Sequence, residues 1–228
     1  SASAVKSGET ATITFTFSEA PTGFAASDIT TTGGTLGTPT VSSTNTKVYT
    51  ATFTPTANLA SGTASITVAS ASYTDAAGNS GGAGTTPSIS IDTLTPTVTI
   101  TSTAATFKSG SSSVLTFTFS EVPVGFAAAD IVVATGATVT NLLQSTTDSK
   151  VWTATYTPTA VSDTFTGSVT VTAGGYTDTA GNAGLTAVRS FTGDTLIAIP
   201  TLALLTDSGS SSTDKITNVG TVSVSNLE

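Results

Sequence analysis

The side chains whose types and spacing could do chemistry are carboxylates and carboxamides. The chain has 14 Asp and Glu residues and no His or Cys. Oxygen ligands without nitrogen or sulfur suit a hard cation such as Ca²⁺. The sequence predicts calcium ligands at positions that recur in two stretches of the chain: Glu19, Asp28, Asp75 and Asn79 in the first stretch, Asp92 between the two, and Glu121, Asp130, Asp178, Asn182 and Asp194 in the second.

The same acids also have a purely structural interpretation. Asp and Asn are frequent in turns because their side chains bond to nearby backbone N–H groups. For the segment from Asp178 to Asn182 alone, the two interpretations are equally open. Carboxylates that meet at one end of a domain repel one another unless a cation lies between them. The combination of Asp92, Glu121, Asp130 and Asp178 therefore favours calcium.

The elements that position these acids come from an internal duplication with a period of about 102 residues, which is the size of one immunoglobulin-like sandwich. Four segments of the first stretch return in order in the second. The pairs are Phe15-Thr-Phe-Ser-Glu19 with Phe117-Thr-Phe-Ser-Glu121, Gly23-Phe-Ala-Ala-Ser-Asp28 with Gly125-Phe-Ala-Ala-Ala-Asp130, Lys47-Val-Tyr-Thr with Lys150-Val-Trp-Thr, and Tyr73-Thr-Asp-Ala-Ala-Gly-Asn79 with Tyr176-Thr-Asp-Thr-Ala-Gly-Asn182.

Apolar residues alternate with threonine in both repeats, as in Ile13, Phe15 and Phe17 and again in Leu115, Phe117 and Phe119. A period of two is typical of strands that bury one face and expose the other. No segment predicts a helix. The predicted fold class is all-β, with tandem immunoglobulin-like β-sandwiches in a linear array and a partial third domain.

The repeat boundaries predict three domains. Domain 1 covers residues 1–92 and lacks strand A, because Lys6-Ser-Gly8 already aligns with Lys108-Ser-Gly110. Domain 2 covers residues 93–194 and starts with the strand Pro96–Ile100. Residues 195–228 are predicted to be the first strands of a third domain, so the chain is expected to be a window on a longer array or to be completed by a neighbouring subunit.

Alternating strand directions predict that the loops after the second, fourth and sixth strands all lie at the end that receives the incoming linker. In domain 2 this end would carry Glu121, Asp130, Asp178 and Asn182, with Asp92 in the linker directly above. Domain 1 has Glu19, Asp28, Asp75 and Asn79 at the matching places.

Composition argues against several functions. A net charge of −8 is unsuited to nucleic acid, and no apolar run is long enough to insert in a membrane. An enzyme is not expected, because there is no histidine base, no cysteine nucleophile and no phosphate-binding loop. A carbohydrate-binding module stays open as an alternative, although Trp152 aligns with Tyr49 and is expected in the core. A further alternative is a subunit of an extracellular filament or surface layer assembled by strand addition.

The pattern Phe-Ser-Glu, Gly-Phe-x-x-x-Asp-Ile and Tyr-Thr-Asp-x-x-Gly-Asn resembles bacterial Ig-like domains over residues 1–194. The segment from Asp194 to Asn218 resembles a second subtype of the same family. The resemblance implies an extracellular or cell-surface stalk in a large secreted adhesin or biofilm-associated protein, with Ca²⁺ stiffening the joints and neighbouring repeats as partners. Ile197-Ala-Ile199 before Pro200 departs from the usual linker.

Overall fold

The computed structural model of this 228-residue chain describes residues 4–86, 88–197, 199–204, 211, 213, 215 and 221–225. Strands dominate throughout. The helical elements of the described residues are two three-residue 3-10 turns, Ala26–Asp28 and Ala128–Asp130. No helix in this part of the chain is long and apolar enough to cross a membrane. The prediction of an all-β fold is confirmed.

Domain 1 is a two-layer sandwich. One sheet has the order β1-β9-β7-β3 with β8 beside β7, and the other has the order β2-β6-β4 with β5 beside β6. The strands are β1 (Ala4–Lys6), β2 (Ala11–Thr16), β3 (Ile29–Thr32), β4 (Gly34–Leu36), β5 (Thr40–Val41), β6 (Val48–Pro55), β7 (Gly62–Val68), β8 (Gly84–Thr85) and β9 (Ile89–Asp92).

Domain 2 repeats this plan with two four-stranded sheets of order β10-β12-β15-β14 and β11-β17-β16-β13. The strands are β10 (Val98–Ser102), β11 (Thr106–Lys108), β12 (Ser113–Phe119), β13 (Ile131–Val133), β14 (Ala137–Gln144), β15 (Val151–Pro158), β16 (Phe165–Val171) and β17 (Ala187–Asp194). Each domain has one short strand that pairs in parallel with the last strand of the domain: β1 pairs with β9, and β11 pairs with β17. The two sandwiches confirm the prediction of tandem immunoglobulin-like domains, whereas the parallel pairs were not predicted.

The alternating apolar residues build one core per domain. Phe15, Phe117 and Phe119 are buried as expected, and their threonine neighbours point outward. Phe17 and Trp152 are half-buried instead. The Trp152 ring lies edge-on to Phe126, with ring centroids 5.4 Å apart, and its indole nitrogen is buried. The tryptophan therefore belongs to the margin of the core.

The two domains differ at one sheet edge. In domain 2, β10 pairs antiparallel with β12 along five residue pairs. In domain 1 the matching strand, β2, pairs with β6 on one side, and no described strand pairs with its other side.

After domain 2, β18 (Thr201–Leu204) and β19 (Val222–Ser225) pair antiparallel in a two-stranded sheet. Residues 205–210, 212, 214 and 216–220, between these two strands, lie outside the described residues. They include Asp207, Asp214 and Asn218 of the segment that resembles the second subtype. The assignment of residues 195–228 to a third domain stays a prediction.

Candidate metal centre at the domain joint

Three loops and strand ends meet where domain 1 passes into domain 2. Asp92 is the last residue of β9, Glu121 follows the end of β12, and Asp178 lies in the loop between β16 and β17. One carboxylate oxygen from each of the three lies within 4.8 Å of the others. Topology thus unites residues that are far apart in sequence, as the alternating strand directions predicted.

The loop that carries Asp178 is held by its own hydrogen bonds. Asp178 Oδ1 accepts from the backbone N–H of Asn182 at 2.8 Å, and Oδ2 accepts from Asn182 Nδ2 at 2.7 Å. Gly181 provides the left-handed backbone that closes the turn, with φ of +88°. Both Asp178 and Asn182 are buried. These are the local hydrogen bonds that the turn interpretation expects, and they do not decide between it and calcium binding.

Asn182 also crosses the joint to domain 1. Its Oδ1 accepts from the backbone N–H of Ser7 at 2.7 Å, and its Nδ2 donates to the backbone oxygen of Asp92 at 3.1 Å. Lys6 adds a second contact, because its Nζ donates to Gly181 O at 3.1 Å. A single buried amide thus connects the turn after β1, the linker and the loop that carries Asp178.

The linker itself is docked on both domains. Thr93 Oγ1 donates to Thr56 O of domain 1 at 2.7 Å, and Leu59 N–H donates back to Thr93 Oγ1 at 3.1 Å. On the other side, Leu185 N–H of domain 2 donates to Pro96 O at 3.0 Å. A linker whose polar groups bond to both neighbours has few conformations left to it.

Glu121 has the least favourable surroundings of the three acids. Its Oε1 is buried without a hydrogen-bond partner among the described residues. Burial raises the pKa of the Glu121 carboxyl, and the nearby charges of Asp92 and Asp178 raise this pKa further, while Lys150 opposes the shift. Lys150 Nζ is bonded to Ser120 O at 3.0 Å. An unpartnered carboxylate oxygen beside two further carboxylates is a donor set that suits Ca²⁺.

The remaining predicted ligands lie elsewhere. Asp130 is not one of the three converging acids; its Oδ2 accepts the Ala127 N–H at 2.8 Å within its own 3-10 turn. Asp28 makes the same contact with Ala25. Asp194 is exposed, and its Oδ1 accepts from Leu196 N–H at 3.1 Å.

Domain 1 has the same loop without the joint. Asp75 accepts from Asn79 N–H at 2.8 Å and Asn79 Nδ2 at 2.7 Å, and these bonds lower the pKa of Asp75. Glu19 and Asn79 are exposed. Across the part of the chain that the structure describes, the group at Asp92, Glu121 and Asp178 is the one place where three such acids meet.

Sequence reasoning missed the contribution of Lys6 and Ser7. Lys-Ser-Gly recurs at residues 6–8 and 108–110, but this recurrence does not reveal that the backbone N–H of Ser7 binds Asn182. In domain 1 this triplet lies in the turn after β1, where Lys6 and Ser7 contact Gly181 and Asn182 of domain 2.

Two successive two-layer sandwiches, mostly antiparallel with one parallel strand pair each, define a tandem immunoglobulin-like repeat protein. The chain belongs to the bacterial Ig-like domain family, whose model matches residues 1–91 and 92–194. No curated protein sequence matches it significantly.

Several solved structures are similar in fold. FdeC, described as an Escherichia coli adhesin, is 16% identical with a TM-score of 0.40, and the match covers 83% of this chain and 60% of that one. Invasin, described as a bacterial integrin-binding protein, is 17% identical with a TM-score of 0.35, covering 84% and 37%. InvD of Yersinia pseudotuberculosis is 23% identical with a TM-score of 0.30, covering 92% and 63%. The chain thus spans less than two thirds of each of these structures.

The role of Asn182 is tested by comparison with its domain 1 counterpart. Asn182→Ala is expected to lower the free energy of unfolding of domain 2 by about 2–3 kcal/mol, because Oδ2 of the buried Asp178 and the N–H of Ser7 both lose the partner that Asn182 provides. Asn79→Ala removes the equivalent side-chain bond to Asp75 at an exposed site and should cost less than about 1 kcal/mol. Urea denaturation of both variants measures the difference, and equal losses would contradict the bridging role.

The raised pKa of Glu121 predicts a pH dependence in the presence of chelator. A carboxyl whose folded pKa is raised contributes stability that is present below its unfolded pKa, about 4.3, and is lost as pH rises through the folded pKa. Glu121→Gln mimics the protonated form, so it should melt higher than the parent chain at pH 7 and equally at about pH 4. The exposed Glu19→Gln is the control. A Glu121→Gln advantage that persists unchanged down to about pH 4 would show that charge is not its cause.

Proposed function

We propose that this chain is a stalk segment of an extracellular or cell-surface bacterial adhesin or biofilm matrix protein, with joints stiffened by Ca²⁺. It acts as a structural spacer without enzymatic activity. The observation that carries the proposal is the convergence of Asp92, Glu121 and Asp178 at the junction of the two domains. Family membership and the tandem arrangement support the role as a repeat segment.

Calcium would act at this joint through charge. Without a cation, the linker acid Asp92 faces two acids of domain 2 across a short gap, and that repulsion opposes docking of the domains. A bound Ca²⁺ would turn the same three charges into ligands held in common by the linker and domain 2. The domains would then be joined through the ion as well as through Asn182.

The three acids have different surroundings, which suggests separate roles. Glu121 offers a buried oxygen without another partner. Asp178 keeps carboxylate lone pairs beyond those used by Asn182, since a carboxylate accepts about four hydrogen bonds. Asn182 positions Asp178 through its Nδ2, while its Oδ1 accepts the Ser7 N–H and keeps one further lone pair. Backbone oxygens and water would complete a shell of 6–8 oxygens.

The repeated residues extend the proposal to further joints. Glu19, Asp75 and Asn79 place the same groups on the upper end of domain 1, and Asp194 ends β17 as Asp92 ends β9. Asp28 and Asp130 would shape the loops beside these sites through their own turns. Extracellular calcium modules bind at about 10⁻⁴–10⁻³ M, an affinity that matches calcium-rich surroundings.

The carbohydrate-binding alternative has weaker support. Sugar recognition by a sandwich needs an exposed aromatic face, and Trp152 is the only tryptophan of the chain. Its ring packs edge-on against Phe126, and its indole nitrogen is buried. This placement fits a role in the core.

Calcium binding is tested by titration calorimetry of the full chain at neutral pH. We expect binding in the range of about 10⁻⁴–10⁻³ M and a rise in the melting temperature of domain 2 when the site is filled. Glu121→Gln should weaken binding by at least about tenfold, since it removes a charged ligand.

The matched control is Glu19→Gln, which changes the equivalent residue of domain 1 outside the joint. It should leave this binding event unchanged. Absence of calcium binding up to several times about 10⁻³ M, or equal effects of the two substitutions, would contradict the proposal.

A further inference from the structure

The side-chain amide of Asn182 lies between two of the three acids at the joint. Its Nδ2 donates to Asp178 Oδ2 at 2.7 Å and to Asp92 Oδ1 at 3.2 Å, and it also lies 3.1 Å from Asp92 O. Asp178 and Asn182 are 1% and 2% exposed, so both side chains are closely packed. The position of this amide therefore influences the spacing between the carboxylates of Asp92 and Asp178.

The opposite side of the same amide is held by domain 1. Asn182 Oδ1 accepts from the backbone N–H of Ser7 at 2.7 Å. This donor helps to fix the orientation of the amide, because a reversed amide would turn its oxygen toward the Asp178 carboxylate and its NH₂ group toward the Ser7 N–H. The Ser7 N–H and the two carboxylates thus favour the same orientation of Asn182.

Ser7 and Asp92 reach the joint on neighbouring strands of domain 1. β1 pairs in parallel with β9, and the last matched residues of this pair are Lys6 and Asp92. Asp92 directly precedes the linker, so it stays close to domain 2 when domain 1 tilts. Ser7 follows the adjacent strand, about 4.8 Å away from this pivot, so the same tilt moves its N–H away from Asn182. The Ser7 bond therefore depends on the orientation of domain 1 more strongly than the position of Asp92 does.

The contact uses the backbone of Ser7, within a turn of defined geometry. Glu9 N–H donates to Lys6 O at 3.1 Å, and Gly8 has a φ of +78°. A four-residue turn with positive φ at its third residue alone is a type II turn, and this class favours proline at its second residue. Ser7 is that second residue. Its N–H can therefore be removed by a proline substitution that preserves the turn.

Lys6 makes a second contact beside the first. Its Nζ donates to the backbone oxygen of Gly181, the residue before Asn182, at 3.1 Å. A Cβ atom at Gly181 would lie only 3.2 Å from Lys6 Nζ, so glycine leaves room for the lysine to cross the joint. Two adjacent residues of domain 1 thus bind two adjacent residues of the loop that carries Asp178.

We propose that the N–H of Ser7 couples the orientation of domain 1 to the calcium affinity of the joint. This inference rests on the proposed function, because it assigns a regulatory contact to the same metal centre. Ser7 is a positioning residue: it holds Asn182, and Asn182 in turn holds Asp92 and Asp178 near each other. In the docked orientation the acids are preassembled. When domain 1 tilts, the site loses a bond that preassembles it and binds calcium more weakly.

Coupling of this kind acts in both directions. If docking of Ser7 raises the affinity for calcium by a given factor, bound calcium strengthens the docking of Ser7 by the same factor. A pulling force that tilts the domains would therefore promote release of the ion, and a high calcium concentration would resist the tilt. Calcium affinity and resistance to tilting are then linked through one backbone hydrogen bond.

The first test compares the calcium affinity of the full chain with that of two variants by titration calorimetry at neutral pH. Ser7→Pro removes the N–H and keeps the turn, and it should weaken calcium binding at least about threefold, the contribution of one modest hydrogen bond. Ser7→Ala keeps the N–H and should bind calcium as the parent chain does. Melting temperatures in chelator report any purely structural cost of Ser7→Pro separately from its effect on calcium.

Domain 2 offers a matched control for the proline itself. Ser109 is the second residue of the equivalent turn, in which Ser111 N–H donates to Lys108 O at 3.1 Å and Gly110 has a φ of +71°. This turn follows β11, whose last residue pairs with the last residue of β17, at the opposite end of that strand from the metal-site acids. Ser109→Pro should therefore leave the calcium affinity unchanged.

Hydrogen exchange of the parent chain gives a second readout that needs no substitution. Exchange of the Ser7 amide requires its bond to Asn182 to open, so saturating calcium should slow this exchange at least about threefold relative to chelator. The amide of Ser109 should exchange at the same rate in both conditions.

The outcomes separate this inference from the proposed function. If the parent chain binds calcium and Ser7→Pro binds it equally well, the coupling is absent while the calcium-stiffened stalk stands. Equal exchange of the Ser7 amide with calcium and with chelator would also overturn the coupling, and so would an equal loss of affinity in Ser7→Ala or Ser109→Pro. A parent chain that binds no calcium contradicts the metal centre itself, and the coupling is then overturned with it.

Discussion

Like charge at the domain joint is the constraint on which the account depends. Asp92, Glu121 and Asp178 bring three carboxylates within 4.8 Å where the linker meets domain 2. Physical chemistry allows two ways to tolerate such a group: a proton on one member or a cation between them. The raised pKa of Glu121 is the first response, and calcium would be the second. In the function proposed above, the stiffness of the joint would depend on how this charge is neutralised.

The architecture around the acids restricts how far the domains can relax. Asn182 bonds to Ser7 of domain 1 and to Asp178 of domain 2, so the loop that carries Asp178 also makes the interdomain contact. Thr93 and Pro96 fasten the linker on either side. Because these contacts exclude large displacements of Asp92, repulsion among the acids is not easily relieved by moving the linker away. A bound ion would thus strengthen an interface that hydrogen bonds already define.

Much of this arrangement could be predicted from the sequence. The period-two pattern and the duplication predicted the sandwiches, and alternating strand directions brought Asp92, Glu121 and Asp178 to one end. Strand direction predicts at which end of a sandwich a residue lies, but not which strands are neighbours at that end. Neighbouring strands are about 4.8 Å apart, so this order decides which carboxylates meet. Asp130 lies at the predicted end, yet its carboxylate binds Ala127 N–H in a local turn. The link from Asn182 to Ser7 involves a backbone group, which leaves no trace in residue type.

The most direct test of the central claim is a distance distribution across the joint with and without calcium. The chain has no cysteine, so Thr52→Cys and Thr118→Cys place spin labels on exposed strand positions of the two domains. Double electron–electron resonance at neutral pH should give one narrow distance with calcium and a broader distribution with chelator. Distributions of equal width in the two conditions would contradict the account, because the joint would then be rigid or mobile regardless of the ion.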